Sequence, residues 1–287
     1  MNNLIIRPAT FAEFSHATDW AEAEGWNPGI GDLAAFHPTD PQGFIMGWLG
    51  NEPVSSISVV QYGPNFGFLG FYIVKPEYRG SGIGIKTWNA GLAHLEGLTV
   101  GLDGVIEQQD NYQKSGFTLA DRNIRYTGIP ETNLEVPGNV IIRAVNTYAL
   151  DAIVAFETGC FPVKRSGFVR DWLFPADPQI TRRSLYAESD GDVVGYGTIR
   201  ECQQGYKIGP LFADSEAIAQ ALFGSLCAFM PRGSKVSLDT PLANKSAVKI
   251  AECARLAPAF ETARMYRGPI PNMQIKRIFG ITSFELG

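Results

Sequence analysis

Phe68–Glu96, FLGFYIVKPEYRGSGIGIKTWNAGLAHLE, is the stretch from which the fold is read. It has the form strand, tight glycine turn, helix. Nearly every position from Phe68 to Val74 is apolar or small, the pattern of a strand buried on both faces. Pro76 cannot continue a ladder and ends the strand. Gly80, Gly82 and Gly84 then remove side chains where the backbone turns into a helix. Bare N–H groups at a helix start, with the positive end of its dipole, bind phosphate. Arg79 adds a cation at the mouth of the turn. Two other phosphate motifs fit less well. A Walker A loop closes on Gly-Lys-Ser/Thr, whereas Ile85 follows Gly84. A dinucleotide fingerprint follows the first strand of a repeating βαβ array, whereas this turn follows a long β-rich stretch.

Working outward, Leu4–Pro8 is a short opening strand. Thr10 and Glu13 have capping-box spacing at the start of a helix whose stripe is Phe14, Ala17, Ala21 and Glu24. Gly25–Gly29 breaks that helix, and a short one follows over Asp32–Phe36. Gly43–Leu49 and Pro53–Gln61 read as a hairpin. After the glycine turn, Ile85, Trp88, Leu92 and Leu95 form the stripe expected to pack on the sheet. A strand over Thr99–Leu102, a short helix over Glu107–Lys114 and a strand over Thr118–Tyr126 complete the unit.

A linker rich in proline and polar residues follows over residues 129–139. The pattern then starts again. Ile141-Ile142-Arg143 echoes Ile5-Ile6-Arg7, Gly191–Val194 echoes Glu52–Ser55, Val236–Asp239 echoes Val100–Asp103, and Met265–Gly268 echoes Arg125–Gly128. The offset stays near 140. Four echoes in one order at one offset indicate a tandem repeat. The second copy lacks the glycine turn. In its place Asp214 or Ser215 caps a helix with the stripe Ile218, Leu222, Leu226 and Phe229.

The element order, and the run Val74-x-Pro76-x-x-Arg79-Gly80-x-Gly82-x-Gly84, resemble motif A of the GNAT superfamily of acyl-CoA-dependent N-acyltransferases. Tyr112, five residues before the Phe of Gly116-Phe117, is similar to that family's second landmark. The resemblance covers roughly residues 3–128. The later half resembles the degenerate C-terminal domain of a bacterial two-domain type, with Gly209-Pro210-Leu211 and Asn244 matching. One departure is that Val105 and Ile106 stand where the family often has an asparagine.

The resemblance implies an α/β (α+β) protein of two tandem GNAT-like domains, each a mixed, mostly antiparallel twisted sheet flanked by helices. The expected divisions are 1–128, the linker 129–139, and 140–287. It implies acetyl-CoA with its pyrophosphate over Gly80, Ser81, Gly82, Ile83 and Gly84 beside Arg79. Pantetheine and thioester would lie along Tyr72, Ile73 and Val74, where the family's strand splays. Tyr112 would be the acid for the leaving thiolate. Asp103 is a candidate base, though Asp239 occupies the same place in the second copy and aspartate commonly caps helices. Glu24 and Asp32 are rival bases or acceptor-binding groups, and a relayed water is equally open. Trp26 and Asn27, in a loop on the acceptor side, are expected to recognise substrate.

The expected reaction is N-acetylation of a small amine by direct attack. A longer acyl group, or a non-catalytic CoA-binding sensor or scaffold, fits the same residues. The net charge of -5 argues against a nucleic-acid partner. Hydrophobic residues make up 45% and charged residues 18%, a globular composition. No apolar run reaches spanning length, and Met1-Asn2-Asn3 opens no signal-peptide pattern. Four dispersed cysteines without a CxxC pair read as reduced thiols of a cytoplasmic protein. The three histidines have no metal-ligand spacing, so no metal is expected.

Overall fold

A computed structural model describes residues 3–132 and 135–287; Asn133 and Leu134 of the expected linker lie outside the described residues. The first half runs β1 (Leu4–Pro8), α1 (Phe11–Ala23), α2 (Asp32–Phe36), β2 (Phe44–Leu49), β3 (Glu52–Tyr62), β4 (Phe66–Val74), α3 (Ile83–His94), β5 (Thr99–Val105), α4 (Gln109–Lys114) and β6 (Thr118–Gly128). The second half repeats that order: β7 (Ile141–Ala144), α5 (Leu150–Glu157), α6 (Ser166–Leu173), β8 (Arg182–Ser189), β9 (Asp192–Glu201), β10 (Tyr206–Ala213), α7 (Glu216–Cys227), β11 (Val236–Pro241), α8 (Lys245–Cys253) and β12 (Ala257–Arg267). A short β13 (Ile278–Gly280) is added at the end.

The strands join into one 13-stranded sheet in the order β1-β2-β3-β4-β5-β12-β6-β11-β10-β9-β8-β7, with β13 on β10. The last strand of each half crosses into the other. β12 pairs with β5, placing Arg264 opposite Asp103. β6 pairs with β11, placing Arg125 opposite Asp239. The two halves thus share backbone ladders as well as side chains. Their cores also merge: Phe36 of α2 stacks on Trp172 of α6 with centroids 5.7 Å apart and planes at 4°, an arrangement that adds to the burial of both rings.

Local signals act as the sequence suggests at the start of α1. Thr10 and Glu13 form the capping box, and Phe14, Ala17 and Ala21 are buried. Of the stripe expected on α3, Trp88, Leu92 and Leu95 pack on the sheet core and Ile85 does not. Ile85 is 57% exposed, and the buried face is Ile83, Thr87, Trp88 and Gly91. Two of those residues carry no hydrophobic signal. The Thr87 hydroxyl bonds Ser55 at 2.7 Å, and a Cβ on Gly91 would stand 2.9 Å from Ile57. Close helix–sheet approach and one buried polar pair therefore complete the buried face. In the second half, Ser215 caps α7 while Asp214 pairs with Arg277 at 2.7 Å. Phe229 lies beyond the end of α7 and is 51% exposed, so it drops out of the expected stripe.

The strands open at one place in each half. β4 and β5 pair in parallel only from Phe66↔Thr99 to Leu69↔Leu102. Beyond that point β4 bulges. Its register on β3 shifts between Ser56 and Ser58, Phe71 takes a left-handed φ of 44°, and the Ser56 hydroxyl donates to the Phe71 carbonyl at 2.8 Å. A bulge of this kind redirects the strand and ends its pairing. β10 and β11 likewise pair only from Tyr206↔Val236 to Ile208↔Leu238. There the chain fills its own opening. β13 pairs with Leu211 and Phe212 of β10, and the Ile281 N–H donates to the Asp239 carbonyl of β11 at 2.9 Å.

Candidate active site

The opening between β4 and β5 leads into a cavity of about 640 Å³. Gly70–Val74 line one side and Leu102–Val105 the other. At one end, Arg79, Gly80 and Gly84 contribute the glycine turn. Gly80 and Gly82 have φ of 76° and 83°, a region glycine reaches without strain. A Cβ at either would meet nothing within 4 Å, so the surface over the turn is open. Gly82 is the N-cap of α3 and no side chain caps the helix there. The first N–H groups of α3 are thus left to an anion, as a phosphate cradle requires. Gly84 serves another purpose: a Cβ there would stand 2.8 Å from the Tyr72 hydroxyl. Arg79 donates to the Val74 carbonyl at 2.9 Å and pairs with Glu24 across the mouth of the cavity. An open turn, bare helix N–H groups and a splayed strand pair together fit coenzyme A.

Tyr112 stands at the inner end. It is 8% exposed and stacks on Trp88 with centroids 5.6 Å apart. Gly104 makes room for it, since a Cβ there would come within 2.1 Å of the Tyr112 ring. Burial, with smaller contributions from Tyr72 and Glu107, pushes the Tyr112 hydroxyl well above the usual tyrosine range. It is therefore a proton donor throughout the neutral and mildly alkaline range.

Asp103 borders the same cavity but has another task. Its side chain is fully buried. It accepts two bonds from Arg264, at 2.8 and 2.6 Å, and one from Asn123 at 2.7 Å. Burial raises its carboxyl, against the pull of Arg264 and Asn123. Taking up a proton there would break the ion pair that ties β5 to β12. Asp239 in the second half is bound the same way by Arg125, at 2.7 and 2.8 Å. Burial opposes the Asp239 charge, but Arg125 more than offsets this and holds the carboxyl below the usual range. The two aspartates are matching clasps of the exchanged strands.

The four acceptor-side residues separate into two groups. Glu24 and Trp26 line the cavity. Asn27 and Asp32 face the second half. Asn27 exchanges two 3.1 Å bonds with the backbone of Gln204. Asp32 is 2% exposed and binds Arg182 at 2.8 Å and Arg200 at 2.9 Å. An aspartate that neutralises two buried arginines docks its loop and is not free for an incoming amine. Of the expected cofactor residues, Tyr72, Ile73, Val74, Arg79, Gly80 and Gly84 border the cavity, whereas Ser81, Gly82 and Ile83 of the same turn do not line it. Sequence reasoning missed the wall given by Phe260 and Thr262 of β12 and by Phe284 and Glu285 of the C-terminal segment. These residues lie more than 150 positions from the glycine turn; the strand exchange brings Phe260 and Thr262 near it, and the C-terminal segment brings Phe284 and Glu285.

Comparison with known proteins agrees with this architecture. The model of the acetyltransferase (GNAT) family matches residues 5–117, and that of an acetyltransferase (GNAT) domain matches residues 153–280. A holothin acyltransferase of Pseudoalteromonas sp. is 32% identical over 281 residues, covering 98% of this chain and 94% of that protein. A putative acetyltransferase of Pyrococcus horikoshii has the same fold, with TM-score 0.82 and 22% identity over 100% of this chain and 97% of that one. A tandem GNAT protein from the clavulanic acid biosynthesis pathway aligns with TM-score 0.62 and 13% identity, over 93% of this chain and 100% of that one. Among the described residues, no helix is long and apolar enough to cross a membrane. The strand–glycine-turn–helix unit, its repetition and these relatives make the chain a two-domain member of the GNAT acyltransferase family.

Proposed function

We propose that the protein is an N-acetyltransferase that takes its acyl group from acetyl-CoA and passes it to a small amine. The observation that carries the reading is the convergence of three elements on one cavity: the uncapped glycine turn, the bulged strand at Phe71 and the buried hydroxyl of Tyr112. The relative's acyltransferase activity supports acyl transfer in general. Acetyl-CoA, when bound, supplies an activated acyl thioester. The turn and Arg79 would hold its pyrophosphate. Backbone N–H groups freed where β4 leaves β5 would bind the carbonyl oxygen on which charge develops. As the C–N bond forms and the C–S bond breaks, Tyr112 would pass its proton to the leaving sulfur.

Residues 1–128 would hold the cofactor, and residues 140–287 would contribute a wall of the acceptor site without binding coenzyme A. Thiol release from acetyl-CoA with an amine panel that includes holothin, with product masses, tests the reading. Stoichiometric thiol and an N-acetyl product are expected. Absence of both, in a protein that fails to bind acetyl-CoA, would overturn it.

A further inference from the structure

Among the described residues, four buried carboxylates are bonded to an arginine: Asp32 to Arg182 and Arg200, Asp103 to Arg264, Glu157 to Arg165 and Asp239 to Arg125. Glu285 is not. It is 2% exposed, it belongs to the cavity wall, and neither of its carboxylate oxygens has a hydrogen-bond partner among the described residues. The Thr262 hydroxyl, on the same wall, is also buried without a partner. Buried polar groups are paired in roughly nine cases of ten. Two orphans on one cavity wall mark a place where a ligand completes the bonding.

The chain holds Glu285 there firmly. After β13 fills the second opening, Ile281–Gly287 runs on to the first. The Thr282 carbonyl accepts from Arg200 at 3.2 Å, the Leu286 carbonyl from Tyr62 at 3.2 Å, and the Gly287 carbonyl from Arg165 at 3.2 Å. The segment reaches β4 one residue before the bulge. A Cβ on Gly70 would stand 2.1 Å from the Glu285 carbonyl, so only glycine admits the approach. Arg125, Arg200 and Lys207 lie within Coulombic range of Glu285. Their hydrogen bonds go elsewhere, Arg125 to Asp239 and the Trp26 carbonyl, Arg200 to Asp32 and Lys207 to the neutral Asn27 carbonyl, so they meet Glu285 by charge alone. Aromatic rings border the cavity beside Glu285 and Thr262 in the lining. Phe260 and Phe284 pack at 5.9 Å, and Trp26 borders the same space.

We propose that Glu285, with Thr262, forms the acceptor-amine subsite, and that the acceptor is a primary amine carried on an aromatic body held by Trp26, Phe260 and Phe284. The inference rests on the acyl-transfer reading above. The amine N–H bonds Glu285 before reaction. As nitrogen attacks the thioester carbon, the C–N bond forms, the C–S bond breaks, the amine proton passes to the Glu285 carboxylate, and the sulfur takes its proton from Tyr112. A carboxylate accepting a proton in this way contributes about 10²–10⁴-fold. A polyamine has no aromatic body to bury against Trp26, Phe260 and Phe284 and so forgoes the apolar part of binding.

The test uses the full chain with acetyl-CoA and tryptamine as the probe, and spermidine as the contrast. Wild type is expected to acetylate tryptamine and not spermidine. Glu285→Gln should lower kcat for tryptamine about 100-fold, leaving the acetyl-CoA dissociation constant within about threefold. Glu285→Asp, which keeps the charge, should recover part of the rate. A role only as counter-charge to Arg125, Arg200 and Lys207 predicts something else: a lower melting temperature in Glu285→Gln with unchanged turnover per folded molecule. That outcome overturns the proposal, as does a wild type that binds acetyl-CoA yet leaves tryptamine unmodified. Failure of wild type to bind acetyl-CoA would instead refute the acyl-transfer reading on which the proposal stands.

Discussion

Gly82 is where the cofactor assignment can be tested with two substitutions that separate conformation from occupancy. Its φ of 83° makes any L-residue strained, at a cost of about 1–2 kcal/mol in stability. Space does not limit it, since a Cβ would meet nothing within 4 Å. Gly82→Ala should therefore lower stability by about that amount and leave acetyl-CoA affinity within a few-fold. Gly82→Glu carries the same strain and adds a negative charge at the uncapped start of α3. Against a pyrophosphate about 4 Å away, one unit charge costs about 4 kcal/mol at the effective dielectric of a protein surface, and salt screening reduces this toward 2. Affinity should fall roughly 30- to 1000-fold. Calorimetric titration of both variants with acetyl-CoA, alongside chemical denaturation, reads both quantities. Equal affinity of Gly82→Glu and wild type would remove the pyrophosphate from this turn, and equal losses in both variants would show a folding defect.

Further outcomes follow from the geometry of Tyr112, Asp239 and the exchanged strands. Tyr112→Phe keeps the stack on Trp88, so turnover of an identified amine should fall about 100-fold with little change in acetyl-CoA affinity; a wild-type rate would make Tyr112 a packing residue. Because burial raises the Tyr112 hydroxyl above its ordinary value, the proton stays on as pH climbs through about 10, and the acid-dependent step should hold its rate there, where an ordinary tyrosine would lose it. Asp239→Asn leaves Arg125 buried without its counter-charge, and denaturation should register a loss of about 3–5 kcal/mol. The Asp239 carboxyl is held low, so its stabilising effect is present above the unfolded value near 3.9 and disappears as pH falls through the folded value; the variant's stability should accordingly be flatter than wild type below pH about 4. Residues 140–287 expressed alone would leave β11 and β12 without β6 between them, an open-edged arrangement expected to aggregate. Co-expression with residues 1–128 should rescue it, and a well-folded isolated half would contradict the strand exchange.

The glycine turn, the repeat and the element order of the first half were legible because they rest on local chemistry. Proline ended β4 as a strand, Thr10 and Glu13 capped α1, and apolar runs marked strands. What was not legible depended on contacts distant in sequence. Asp103 looked like a free carboxylate at a strand end, because its partner Arg264 lies on a strand that arrives only through the exchange. Asp32 looked like an acceptor ligand for the same reason, with Arg182 and Arg200 in the other half. The C-terminal segment gave no motif at all. Its role comes from pairing with β10 and from reaching Gly70, and Gly70, one of two glycines in β4, was the local trace of that approach.

One opening is the proposed cofactor site, and β13 fills the other. The stoichiometry of acetyl-CoA on the intact chain, by calorimetry, tests this most directly. One molecule per chain, lost on Gly82→Glu, is the predicted result. Two molecules per chain, or one that persists in Gly82→Glu, would contradict it.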